Sequence, residues 1–187
     1  MSTSQFTLAN YFNTLEYSIK TILLRHQNVA LTYDILDTEN SKIHKLLVLK
    51  EKQRQMKIGE IWQEVLGSYD GFINLKVGHE TGLDILCHTK KIAIELKNRT
   101  NTDNSSSKKS NLDKLAKFKK NNPDYVCIYA NINAENEEKT LSGSIKKIKH
   151  DGQELEHHIG YAFLKYILND NTDVIIEFVK TTIDKYI

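Results

Sequence analysis

Apolar residues recur at helical spacing over the first stretch of the chain. Leu8, Tyr11, Phe12, Leu15, Ile19, Ile22 and Leu23 fall three or four positions apart and predict an amphipathic helix. A second helix is predicted over residues 41–66. There Leu46, Leu47 and Leu49 give way to the more amphipathic Ile58, Ile61, Trp62 and Val65, with Gly67 as a stop just past the end. The period then changes. Residues 71–77 alternate apolar and polar as a half-buried strand does, and Gly78 to Gly82 reads as a turn. Residues 83–87 and 91–97 read as two more strands, joined through the polar stretch around His88. A long polar loop of Asn, Thr and Ser follows over 98–109. Ser110 is placed to cap a helix carrying Leu112, Leu115, Ala116 and Phe118, which ends near Pro123, the sole proline. Residues 125–130 are an apolar run of strand length, suited to a central strand covered on both faces. A weaker strand is predicted over 144–149, and helices over 153–168 and 173–186 close the chain.

This order predicts an α/β protein. A mixed central sheet of about five strands is flanked by helices and preceded by a helical N-terminal region. One domain is expected, mostly helical over 1–66, with the core sheet in 67–150 and C-terminal helices in 151–187. A chain of 187 residues, 40% hydrophobic and 27% charged, can bury a core of that kind.

Composition removes several classes of function. No apolar run approaches the ~20 residues that cross a bilayer, and the first twenty residues lack the basic and apolar regions of a signal peptide. A cytoplasmic protein without membrane contact is expected. The two cysteines, Cys87 and Cys127, lie in apolar runs and read as buried thiols; they allow neither a disulfide framework nor a cysteine zinc cluster. No phosphate-binding Gly-x-x-x-x-Gly-Lys-Ser/Thr loop occurs, so no nucleotide cofactor is expected. Net charge is only +2, but its distribution is uneven. Lysines gather at 108, 109, 114, 117, 119 and 120 and again at 146, 147 and 149, while acidic residues gather at 134–138. Such segregation allows one positive face, as a polyanion binder needs. His157 and His158, read as neighbours on a helix, point in different directions and have no partner at metal-binding spacing. His79, close to the predicted hairpin, is a candidate for polyanion contact only.

The chemistry concentrates in the third predicted strand. Side chains alternate faces, so Ile92, Ile94 and Leu96 share one face while Ala93, Glu95 and Lys97 share the other. If this strand pairs with the one before it as a hairpin through residues 88–91, Asp84 comes to the same end as Glu95. Two carboxylates at one point make a site for a hard divalent cation. Held by Asp84 and Glu95, magnesium would polarise a phosphate and acidify a bound water. Lys97 would orient that water and offset charge in the transition state. The backbone carbonyl of Leu96 is a further candidate ligand.

Gly82, Leu83, Asp84 and Ile85, followed by Ile94, Glu95, Leu96, Lys97, Asn98 and Arg99, resemble the motif of the PD-(D/E)XK nucleases, in particular the small type II restriction endonucleases. The first acid of that motif matches Asp84, the second Glu95 and the lysine Lys97; Leu83 stands where the motif has proline. The resemblance implies a restriction-endonuclease-like fold and cleavage of double-stranded DNA. It also implies a helix glutamate ahead of the hairpin, for which Glu64 is preferred over Glu60. The polar stretch after Lys97 is similar to that of some restriction enzymes with short targets. Asn98, Arg99, Asn101, Thr102, Asn104, Ser105, Ser106, Lys108 and Lys109 are its candidate DNA contacts, with Asn and Arg suited to base edges and Ser, Thr and Lys to phosphates.

The expected function is therefore a type II restriction endonuclease. It would depend on Mg2+ and work as a homodimer, because a palindromic target is read by two-fold symmetry. A repair or recombination nuclease of the same fold, such as a junction resolvase, and a DNA-binding protein without catalysis are the alternatives.

Overall fold

The computed structural model describes residues 6–25, 31–76, 78–99 and 105–186. Helix α1 runs Leu8–Leu24 and α2 Glu39–Gly67. Each begins at a threonine, Thr7 or Thr38, whose hydroxyl accepts from the backbone N–H three residues on. The strands are β1 (Ile73–Asn74), β2 (Ile85–Cys87), β3 (Ile92–Arg99), β4 (Val126–Asn133), β5 (Ser144–His150) and β6 (Gln153–Ile159). Helix α3 (Ser105–Asn121) links β3 to β4. The short α4 (Glu137–Ser142) follows β4, and α5 (Gly160–Leu168) and α6 (Thr172–Tyr186) end the described chain.

The six strands form one mixed sheet in the order β1-β2-β3-β4-β6-β5. β3, β4 and β6 are parallel, with antiparallel neighbours on both flanks. Alternation along the strands divides the core. Ile92, Ile94 and Leu96 of β3 and Ile128, Ala130 and Ile132 of β4 face a large cluster filled by α1, α2, α5 and α6. Ala93, Cys127 and Tyr129 face a smaller one under Leu115 and Ala116 of α3. Both cysteines are buried and free. Helices α1 and α6 close the larger side together: the rings of Phe12 and Phe178 stack 4.3 Å apart, and Glu16 accepts from Lys185 and Tyr186. Among the described residues no helix is long and apolar enough to cross a membrane.

The structure corrects the sequence reading in four places. Residues 153–159 are strand β6, not the start of a helix, which makes six strands instead of five and leaves only 160–168 of that segment helical. The cause is the turn before it. Asp151 and Gly152 both have positive φ, 47° and 72°, the signature of a two-residue hairpin turn that folds β6 back on β5. The polar loop expected over 98–109 is mostly regular: β3 continues through Arg99, and α3 begins at Ser105, five residues before Ser110. Those first turns of α3 are fully exposed, so no apolar periodicity announces them. The strand expected over 71–77 is regular only at Ile73 and Asn74, and Val77 lies outside the described residues. Finally, α4 was not anticipated, because its six residues bury no side chain. Gly67 is the last residue of α2, where an added Cβ would meet the Asn74 backbone at 2.7 Å.

Candidate active site

Glu95 sits in the middle of β3, on the α3 side of the sheet, and is 2% exposed. Its Oε1 accepts from Lys97 Nζ at 2.6 Å. Its Oε2 is buried and has no hydrogen-bond partner. Asp84 immediately precedes β2. The register pairs Ile85 with Ile94, so one further step sets Asp84 opposite Glu95. Both oxygens of Asp84 are held: Oδ2 accepts from the Leu96 backbone N–H at 2.7 Å and Oδ1 from Gln63 Nε2 at 3.1 Å.

Both carboxyls are held above their ordinary range. For Asp84 the cause is burial, opposed by the Leu96 N–H and by the charges of Lys97 and Lys114. For Glu95 burial again comes first and the negative charge of Asp84 second, opposed by Lys97 and Lys114. Two acids are thus pressed together where the nearby lysines do not fully offset them. Their oxygens suit a hard divalent cation, and the unpartnered Oε2 of Glu95 is the atom such an ion would satisfy. Among the described residues no group of three or more His, Cys, Asp or Glu side chains is gathered for a metal. The remaining ligands would have to be backbone carbonyls, water or substrate.

Glu64 does not join this group. Its Oε1 accepts from Asn74 Nδ2 at 2.8 Å and pairs with Lys76, which anchors α2 to β1. Glu60 is paired with Arg25. The residue of α2 that reaches the carboxylates is Gln63, one position before the glutamate expected there. It carries no charge to mark it in a sequence, and only the tilt of α2 over the sheet reveals it.

The candidate DNA contacts separate. Asn98 accepts from Asn133 through its backbone and side-chain oxygens, and the Arg99 carbonyl accepts from Asn131, so both belong to the end of β3. Ser105, Ser106, Lys108 and Lys109 lie in the first exposed turns of α3. Lys108 extends back over the ring of Tyr129, 5.7 Å from its centroid. Asn101, Thr102 and Asn104 fall outside the described residues.

The register also carries a row across the sheet. Glu95, Tyr129, His157 and Lys146 are successive partners on β3, β4, β6 and β5 and therefore share one face. His157 Nε2 lies 2.8 Å from Asn131 Oδ1. Burial first, then Lys108, His158 and Lys146, push the His157 imidazole down to about 4, so it is neutral near pH 7. Reading 153–159 as helix had hidden this residue from the site. His158 faces the other way, its Nε2 2.6 Å from Glu156. His79 is held to Thr81 in the turn before β2.

A mixed sheet with a parallel centre and helices on both faces, here carrying one buried and one half-buried carboxylate beside a lysine, fits a restriction-endonuclease-like fold. The sequence model of the Eco47II restriction endonuclease family matches residues 8–185, which is nearly the whole chain and every element described above. The chain belongs to that family. Comparison with curated proteins finds no match.

Proposed function

We propose that the chain is a magnesium-dependent type II restriction endonuclease that hydrolyses double-stranded DNA at a short target, acting in the cytoplasm as one domain per subunit of a homodimer. One observation carries the reading: Asp84 and Glu95 face each other from adjacent strands, with one oxygen of Glu95 buried and unpartnered and Lys97 on the other. Asp84, Glu95 and the Leu96 carbonyl are the oxygens that would hold Mg2+. When bound, the ion supplies Lewis-acid polarisation of the scissile phosphate and a water of lowered pKa.

The remaining work belongs to the side chains. Gln63 and the Leu96 N–H fix the Asp84 carboxylate, and Lys97, held to Glu95, is the cation that would orient the attacking water or the phosphate. Lys108, Lys109 and the first turns of α3 offer donors to the DNA backbone, and Arg99 at the end of β3 suits a base edge.

The test is cleavage of DNA with and without Mg2+, together with metal binding by calorimetry. Asp84→Ala, Glu95→Ala and Lys97→Ala should each fold and lose several orders of magnitude in rate. The two acid variants should also lose metal affinity. A folded Asp84→Ala protein that binds Mg2+ and cuts at the wild-type rate would remove the assignment.

A further inference from the structure

Helix α2 is longer than the body beneath it. Its buried residues are Ile61, Val65, Leu66 and Gly67, Ile58 packs partly against the large core, and Lys57 and Glu60 reach Leu23 and Arg25. The roughly five turns from Glu39 to Met56 fully bury no side chain. That arm is rich in charge but also carries large apolar side chains. Ile43 and Leu47 are each 59% exposed, Leu46 and Val48 are also open, and the segment leading in presents Tyr33, Ile35 at 99% and Leu36 at 85%. A helix gains most of its stability by packing an apolar face, and the first five turns of this one leave their large apolar side chains exposed. Seven exposed apolar side chains thus gather on this arm and the segment before it, the kind of surface that marks an interaction site.

We propose that this arm is the dimer interface, on which the same helix of a second copy of the chain docks antiparallel. The charges select the register. Glu39, Ile43, Leu46, Leu47, Lys50 and Arg54 follow one stripe at helical spacing. Setting Leu46 against Leu47 of the partner subunit brings Glu39 level with Arg54 of the partner subunit at both ends of the contact. It also brings Lys42 level with Glu51 of the partner subunit, and lays Ile43 on the aliphatic stem of Lys50 of the partner subunit. Within one chain Glu39 already pairs with Lys42 and Arg54 with Glu51. Docking would join these pairs into alternating four-charge chains. A slip of one residue either way sets Lys42 level with a lysine, Lys50 or Lys52, and breaks the match. The two-fold axis follows from the antiparallel docking and gives the symmetry that a palindromic target requires. The inference rests on the homodimer part of the proposed function and is independent of its chemistry.

Sedimentation of the full chain at micromolar concentrations tests it. The wild type should run at the mass of two chains, and Leu46→Glu with Leu47→Glu should run as a folded monomer, its circular dichroism unchanged because both positions are exposed. Glu39→Arg and Arg54→Glu should each weaken self-association about tenfold, and the two together in one chain should restore it. A monomeric wild type, an unchanged dimer in the leucine variant, or charge reversals whose losses simply add would each overturn the interface. Magnesium-dependent nicking of plasmid DNA is read in parallel. A dimer with no such activity removes the nuclease reading and keeps the interface; activity with no dimer through this arm does the reverse.

Discussion

The unpartnered oxygen of Glu95 sets a conflict between stability and function at the scale of one residue. A buried carboxyl held above its ordinary pKa is one whose charge the fold opposes. Glu95→Gln should therefore abolish cleavage and yet raise the melting temperature of the metal-free protein at neutral pH by a few degrees. The same shifts give a pH dependence. Because Asp84 and Glu95 are raised, the folded chain holds their protons to higher pH than the unfolded chain does. Their contribution is fully present below the ordinary carboxylate range near pH 4 and is lost as pH climbs through the raised values. Thermal melts in chelator should show that decline, and added Mg2+ should reverse it most at the alkaline end, where both acids are ionised. A curve insensitive to pH above 4 would contradict the burial of the pair.

Gln63 and Glu64, adjacent on α2, should behave differently. Gln63→Ala removes a donor from Asp84 and should cost roughly 10- to 100-fold in metal affinity or rate. Glu64→Ala loosens β1 from α2 and should lower the melting temperature while leaving metal affinity intact. Calorimetry beside melting curves separates the two. Glu95 and Lys97 were legible in the sequence because strand alternation puts them on one face, and Asp84 because a hairpin with the preceding strand brings it to the same end. Gln63 was not, because its role depends on where a long helix crosses the sheet.

Among the elements, β3 was the easiest to read, since its apolar face at Ile92, Ile94 and Leu96 has the strand period. β6 was the hardest. Its residues, Gln153 to Ile159, bury only Leu155 and His158, and the Asp151–Gly152 turn carried the information instead. The start of α3 was hidden for a related reason, since Ser105 to Lys109 are all exposed and none is apolar. The position of Arg99 at the tip of β3 makes a prediction for that element. Arg99→Ala should narrow the preference for the target over single-base variants by ~1–3 kcal/mol, with little change in binding to random duplex. Equal losses on every sequence would make Arg99 a phosphate contact.

For the whole molecule, the two faces of the sheet differ in thickness. Four helices cover one face, while α3 alone lies across the other and carries lysines along its length. β5 adds Lys146, Lys147 and Lys149 at the sheet edge, where charge also discourages edge-to-edge pairing. A chain with net charge +2 thus gathers positive charge along α3 on the side that bears the acids, joined there by Lys146. Replacing Lys108 and Lys109 together by Ala should weaken binding to all duplexes alike and flatten the salt dependence, because fewer counterions are released. Affinity measured at several salt concentrations decides it, and an unchanged slope would place the DNA elsewhere. The mixed sheet was foreseeable from the order of helices and strands; the insertion of β6 between β4 and β5 was not, because strand order is decided by packing across the molecule.

The meeting of α1 with α6 also shapes how the protein comes into being. The ribosome delivers α1 early and α6 late, so the face of α1 that ends against Phe178 and Val179 has no cover for most of translation. The large core closes only when these sequence-distant helices find each other, a non-local step of the kind that slows folding. The closing of that core therefore waits until α6 has been made, long after α1 and the sheet.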